Sequence, residues 1–96
     1  MPLKNAKKKG TRNEHKSMAN HTSRGAVCLR AGASLGLFDF VALYADHAEL
    51  VQVKSNRWPG HEEMHGLRSF TRPDYAICRI ERWDDYAREP KVREIE

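Results

Sequence analysis

Cysteine is scarce in this chain. Only Cys28 and Cys78 occur, fifty positions apart, each inside an apolar run: Ala26-Val27-Cys28-Leu29 and Ala76-Ile77-Cys78. That usage excludes any CxxC zinc or redox site and predicts two reduced thiols packed as small hydrophobes, with a structural disulfide as the alternative. Long apolar runs are also missing. None approaches the roughly 18–20 residues that a membrane-spanning helix needs. Met1-Pro2-Leu3-Lys4 begins as a signal peptide does but has no apolar stretch after it, so an intracellular, cytoplasmic protein is expected. What remains is 96 residues with 40% hydrophobic content, enough for one small globular domain and too apolar for a disordered chain. A domain this small buries a modest share of its surface, which makes a homodimer a natural expectation.

Acids are almost absent from the N-terminal third. Residues 1–38 hold eight Lys/Arg (Lys4, Lys7, Lys8, Lys9, Arg12, Lys16, Arg24, Arg30) against the single acid Glu14, a net +7, whereas residues 39–96 hold nine against twelve, a net −3. A basic segment of this kind suits a polyanion and its simplest use is phosphate neutralisation; a solvated basic tail is the alternative. The lone acid in that segment asks for a role.

Residues 1–10 read as a flexible basic arm closed by Gly10, followed by a single domain over 11–96. From Thr11 to about Arg24 neither Gly nor Pro intervenes, and Thr11 with Glu14 has the form of a capping box, so a helix is predicted there although its apolar content is thin. Ala26–Arg30 reads as a short strand. Residues 32–36 form a small-residue loop that lets backbone approach a ligand. Phe38–Tyr44 and Glu49–Lys54, separated by Ala45-Asp46-His47-Ala48, predict an antiparallel hairpin. Pro59-Gly60 opens a second helix with Met64 and Leu67 spaced for a buried stripe and Phe70 near its end; Arg72-Pro73-Asp74 breaks it. Tyr75–Arg82 predicts a fourth strand, and the charged tail from Asp84 carries no pattern. The order α-β-β-β-α-β implies an α/β fold with a small mixed sheet flanked by helices.

Side chains two apart on a strand share a face, so Asp39 joins Val41 and Leu43, and Gln52 joins Lys54. With the turn centred near Asp46-His47, Asp39 is expected opposite Lys54 and diagonal to Gln52. A carboxylate, an amide oxygen and an ammonium then meet at the open end of the hairpin. Such a trio on an apolar hairpin costs stability unless it binds something. Oxygen donors suit Mg²⁺, and a lysine beside them can hold a phosphate or orient a water.

The ordered set Gly10-Thr11-Arg12-Asn13-Glu14, Arg30, Ser34 with Gly36, Phe38-Asp39 and Gln52-Val53-Lys54-Ser55 resembles the PD-(D/E)xK nuclease superfamily, and within it the archaeal and viral Holliday junction resolvases. The resemblance spans residues 9 to about 70. It implies a restriction-endonuclease-like core and a magnesium-dependent endonuclease, with Mn²⁺ able to substitute. Glu14, Asp39 and Gln52 would hold the metal, Lys54 would assist the attacking water or the developing charge, and Ser34 would lie beside the scissile phosphate. Lys7, Lys8, Lys9, Arg12, Arg30 and Ser55 would contact DNA. The enzyme would act as a homodimer on a four-way junction, leaving 5′-phosphates. Two positions depart from the pattern: Phe38 stands where the motif has Pro, and Gln52 where the resolvases have Glu, which removes one negative charge. An endonuclease for flaps, nicks or duplex, and a non-cutting DNA-binding relic, are the alternatives.

His61-Glu62-Glu63-Met64-His65 also matches H-E-x-x-H, a zinc-hydrolase signature. Its extended form needs Gly and His where Arg68 and Thr71 stand, so solvent-facing positions on a helix are expected instead. His15, His21 and His47 show no partner in the sequence and are expected at the surface. Trp58 and Trp83 are expected in the core or at an interface.

Overall fold

The computed structural model describes residues 2–31 and 36–95, with side chains from Lys9 onward. Helix α1 (Pro2–Ser23) leads into β1 (Val27–Arg30), β2 (Phe40–Leu43) and β3 (Ala48–Ser55); α2 (His61–Ser69), β4 (Ala76–Trp83) and β5 (Lys91–Ile95) follow. The strands form one sheet in sequence order, antiparallel except for the parallel β3–β4 pair, which α2 connects. This is the expected mixed sheet flanked by helices, with one strand more.

The face of the sheet toward α2 is apolar. Met64 and Leu67, the two buried residues of that helix, pack with Phe38, Cys78, Ile80 and Ile95, with Leu50, Trp58 and Phe70 at the margin. The opposite face joins Ala26, Phe40, Ala42 and Val51 to Met18 and Cys28. The two thiols therefore sit in different clusters on opposite faces, both free, as their apolar settings predict.

Helix α1 docks differently. Its buried positions Asn13, Ser17 and His21 recur every four residues, so its inward stripe is polar. Asn13 Nδ2 donates to Ser55 Oγ at 2.7 Å and Trp83 Nε1 donates to Ser17 Oγ at 2.7 Å. His21, wholly buried, meets Tyr44 through Nδ1 and Glu81 through Nε2, the latter at 2.6 Å. Surface placement for His21 is thus corrected: the ring is buried because its two partners arrive from β4 and from the end of β2. His47 is only half-buried, stacked on Tyr44 and bonded to Asp46 and Glu49; His15 is exposed as expected.

Three boundaries differ from expectation. Helix α1 starts at Pro2, so it takes in residues 2–10, and the capping box dissolves because Thr11 lies in the helix interior. Gly10 costs a helix about 1 kcal/mol, too little to end one by itself. The helix stops instead at Gly25, whose φ of 100° suits a residue without a side chain. Second, the hairpin register pairs Leu43 with Ala48 and Phe40 with Val51. Third, the charged tail forms β5; only Ile95 of that strand is buried, and an edge strand tolerates charge well.

Beyond the reach of α2, the sheet leaves an apolar area open. Val27, Leu29 and Leu43 are 62%, 54% and 42% exposed. Val27 pairs with Leu43 and Leu29 with Val41, so these side chains form one contiguous patch on the β1–β2 edge. No helix among the described residues is long and apolar enough to cross a membrane.

Candidate active site

At the end of the sheet where β2 begins and β3 finishes, apolar residues give way to polar ones. Asp39 immediately precedes β2. Its backbone N–H donates to the Val51 carbonyl at 2.8 Å, and its Oδ2 accepts the Val53 N–H at 2.7 Å. These two bonds bracket Gln52. Continuing the hairpin register sets Asp39 opposite Gln52 and diagonal to Lys54, the reverse of the expected pairing, while all three remain on the same face.

Burial raises the Asp39 pKa above its ordinary value of 3.8. The Val53 amide and the charges of Lys54 and Arg30 pull it down, the charge of Glu14 pushes it up, and the net direction is upward. Glu14, Lys54 and Arg30 thus all lie within the electrostatic reach of Asp39, although Glu14 comes from α1, Arg30 from β1 and Lys54 from β3. Glu14 Oε1 accepts from Arg30 Nη2 at 3.1 Å, a pair on the outer side where Arg30 is 56% exposed. Such a surface pair is worth about 0–1 kcal/mol and opens at little cost.

Gln52 is 7% exposed. Its Nε2 donates to Glu63 Oε2 at 3.2 Å. Its Oε1 is buried and has no hydrogen-bond partner among the described residues. A buried amide oxygen left unpaired costs about 1–3 kcal/mol, so this atom is stabilised by anything that brings it a positive charge or a donor. Lys54 Nζ contacts both Glu63 oxygens, at 3.3 and 3.4 Å.

Glu63 is the residue sequence reasoning passed over. It sits inside the His-Glu-Glu-Met-His run, where attention falls on the histidines. Those histidines, with Glu62, are exposed. Among the described residues no three His, Cys, Asp or Glu side chains are grouped to hold a metal by themselves. The zinc-hydrolase motif accordingly has no third ligand among the described residues. Two acids of the polar cluster are held by cations, Glu14 by Arg30 and Glu63 by Lys54. The donor set of Asp39, Gln52 Oε1 and Glu14 is all oxygen, the chemistry that fits Mg²⁺ or Mn²⁺.

The expected DNA contacts are distributed unevenly. Arg12 is exposed, Lys9 pairs with Asp85 at 2.9 Å, Arg30 is engaged by Glu14, and Ser55 accepts from Asn13. The side chains of Lys7 and Lys8, and all of Ser34, lie outside the described residues. Trp83 is buried beside Ser17, while Trp58 is flanked by the guanidinium groups of Arg82 and Arg93, 5.1 and 4.3 Å from its ring centre.

No protein-family model matches the chain, and no curated protein matches it by sequence. Solved structures do. One is the 1.6 Å structure of Archaeoglobus fulgidus Hjc, a Holliday junction resolvase from an archaeal hyperthermophile. It superposes with a TM-score of 0.67 at 22% sequence identity, over 91% of this chain and 71% of that one. The likeness establishes the fold, a mixed sheet flanked by helices consistent with a restriction-endonuclease-like core.

Proposed function

We propose that this chain is a metal-dependent, structure-selective DNA endonuclease whose favoured substrate is a four-way junction. The observation that carries the reading is the convergence of Asp39, Gln52 and Lys54 on one face at the sheet end, with the Gln52 Oε1 buried and without a partner among the described residues. The shared fold with a Holliday junction resolvase supports it, and so does the net +7 of the first 38 residues.

In this reading Asp39, Gln52 Oε1 and Glu14 hold Mg²⁺, for which Mn²⁺ substitutes. The bound ion would supply Lewis-acid stabilisation of charge on the phosphate. Lys54 orients the attacking water or meets the charge that grows on the phosphoryl oxygens. In-line attack on phosphorus breaks the bond to the 3′-oxygen and leaves a 5′-phosphate. Glu14 would hold the metal through the oxygen that Arg30 does not occupy or by parting from Arg30, and Arg30 would meet the DNA backbone. Lys7, Lys8, Lys9, Arg12 and Ser55 extend the contact along the backbone, with residues 1–10 serving as a basic arm to the nuclease domain of 11–96. Ser34 would stand near the scissile phosphate.

A homodimer places one site on each of two strands. The open patch of Val27, Leu29, Val41 and Leu43 is the surface that supports it, since contiguous exposed apolar area on a small domain marks an interface. An intracellular, cytoplasmic location goes with this role.

Cleavage of a labelled synthetic junction, compared with its linear arms in Mg²⁺ and in Mn²⁺, tests the reading. Paired symmetric nicks in the junction alone are expected, and they disappear in Asp39→Asn while binding survives. Equal cutting of the linear arms would favour a nuclease for other DNA forms. Binding without cleavage in either metal would favour a non-catalytic DNA-binding relic, to which the missing charge at Gln52 lends some support.

A further inference from the structure

Gln52 is the weak member of the cluster when the strand is read alone, because an amide carries no charge and can face either way. In the folded chain its partner decides both matters. A carboxylate only accepts hydrogen bonds, so Glu63 can bind Gln52 only through Nε2. That contact turns Oε1 to the other side of the amide, where it lies buried with no partner among the described residues. The same carboxylate touches Lys54 Nζ through both oxygens. Glu63 therefore sits at hydrogen-bonding distance from two members of the cluster and brings a negative charge to the place where the strand lacks one.

We propose that Glu63, on the first turn of α2, is a positioning residue of the metal site, fixing the Gln52 amide with Oε1 turned to ligate and restoring the carboxylate charge absent from position 52. The proposal rests on the nuclease reading above. Its position at the helix N-terminus is a favourable one for an acid in any protein. That general preference explains neither the Gln52 contact nor the unpaired oxygen that the contact leaves behind. A glutamine at position 63 would differ in a specific way: its own N–H groups could donate to Gln52 Oε1 and occupy the atom that the site needs.

The test measures Mn²⁺ affinity of the intact chain without DNA, by electron paramagnetic resonance of the free ion, beside thermal midpoints and junction cleavage. Glu63→Gln is expected to weaken Mn²⁺ binding about 10–100-fold, the scale for groups that orient a ligand. Gln52→Glu combined with Glu63→Gln restores an amide–carboxylate pair with its polarity reversed, and should recover most of the lost affinity. A residue that merely braces α2 would shift the thermal midpoint and leave Mn²⁺ affinity alone. Glu63→Gln binding Mn²⁺ as tightly as the natural chain overturns the proposal, and the nuclease reading stands as long as Asp39→Asn still abolishes cutting. Lost affinity that the folded double variant does not regain also overturns it; should the double variant not fold, the Glu63→Gln affinity decides alone. A natural chain that neither binds Mn²⁺ nor cuts a junction removes both the nuclease reading and this one.

Discussion

The amide of Val53 donates to Asp39 Oδ2 at 2.7 Å across the mouth of the β2–β3 hairpin, so a half-buried carboxylate is held by the strand that carries Gln52 and Lys54. Burial nevertheless leaves the Asp39 pKa above 3.8. A carboxyl whose pKa rises on folding binds its proton more tightly in the folded chain, and its ionisation then costs stability. That cost is absent below the ordinary value, grows as pH climbs to the raised folded value and is complete above it. Asp39→Asn keeps an oxygen for the Val53 amide and removes the charge. It is expected to raise the thermal midpoint at pH 7, with the gain fading toward pH 3, while cutting falls by about a hundredfold or more. Scanning calorimetry at the two pH values, beside a cleavage assay, checks both halves. A lowered midpoint at pH 7 would refute the desolvation argument.

The same raised pKa predicts the acid limb of metal binding. Metal and proton compete for the Asp39 carboxylate, so Mn²⁺ affinity should begin to fall at a pH above the range of an ordinary aspartate. Titration of Mn²⁺ at a series of pH values measures this directly. In Asp39→Asn the limb should lose its Asp39 component along with most of the affinity. An onset at or below pH 3.8 would mean that burial does not raise the Asp39 carboxyl.

The sequence alone made the face of the cluster legible but not its pairing. Strand periodicity is two, so Asp39, Gln52 and Lys54 share a face in either register. The true loop, with Leu43 opposite Ala48, is centred one residue earlier than the position near Asp46-His47. A one-residue move of the centre shifts every partner by two, which preserves the face and exchanges Lys54 for Gln52 opposite Asp39. Helix α1 was hard to read for another reason. Its buried stripe of Asn13, Ser17 and His21 is polar, and hydrophobic periodicity has nothing to detect there. Strand β5 hides similarly, since four of its five residues face solvent. Glu63 and the His21–Glu81 contact depend on partners from other elements, 9 to 60 positions away, and no local pattern announces them.

His21 and Glu81 give a stability prediction independent of the candidate site. Burial pushes the Glu81 pKa up, but hydrogen bonds from His21 and Ser17 and the charges of His21 and Arg79 outweigh it, so the net direction is below 4.5. A carboxylate with a lowered folded pKa contributes stability that is present above its ordinary value and lost as pH falls through the folded one. Glu81→Gln removes one of the two buried acids around Arg79 and His21, leaving Glu49 at 3.1 Å from Arg79 and 3.7 Å from His21, a change expected to cost about 1–3 kcal/mol at pH 7. Urea titration at pH 7 and at pH 3 should show a larger gap between natural chain and variant at the first than at the second. A constant gap would place the effect in packing rather than in charge.

The β1–β2 patch makes the dimer testable apart from catalysis. Leu29 is 54% exposed, lies between Val27 and Arg30 on the edge strand and pairs with Val41. Leu29→Glu removes apolar area and sets a charge into the interface while leaving both packed clusters intact, because neither contains Leu29. A central interface position of this kind costs about 2 kcal/mol or more, roughly thirtyfold in the dimer dissociation constant. Sedimentation analysis should show the natural chain at twice its monomer mass and the variant shifted toward monomer with its thermal midpoint little changed. On a junction, the two nicks should then lose their pairing, since each site would arrive separately. A dimer that survives Leu29→Glu would move the interface elsewhere on the surface, and a natural chain that sediments as a monomer at micromolar concentration would remove the dimer itself.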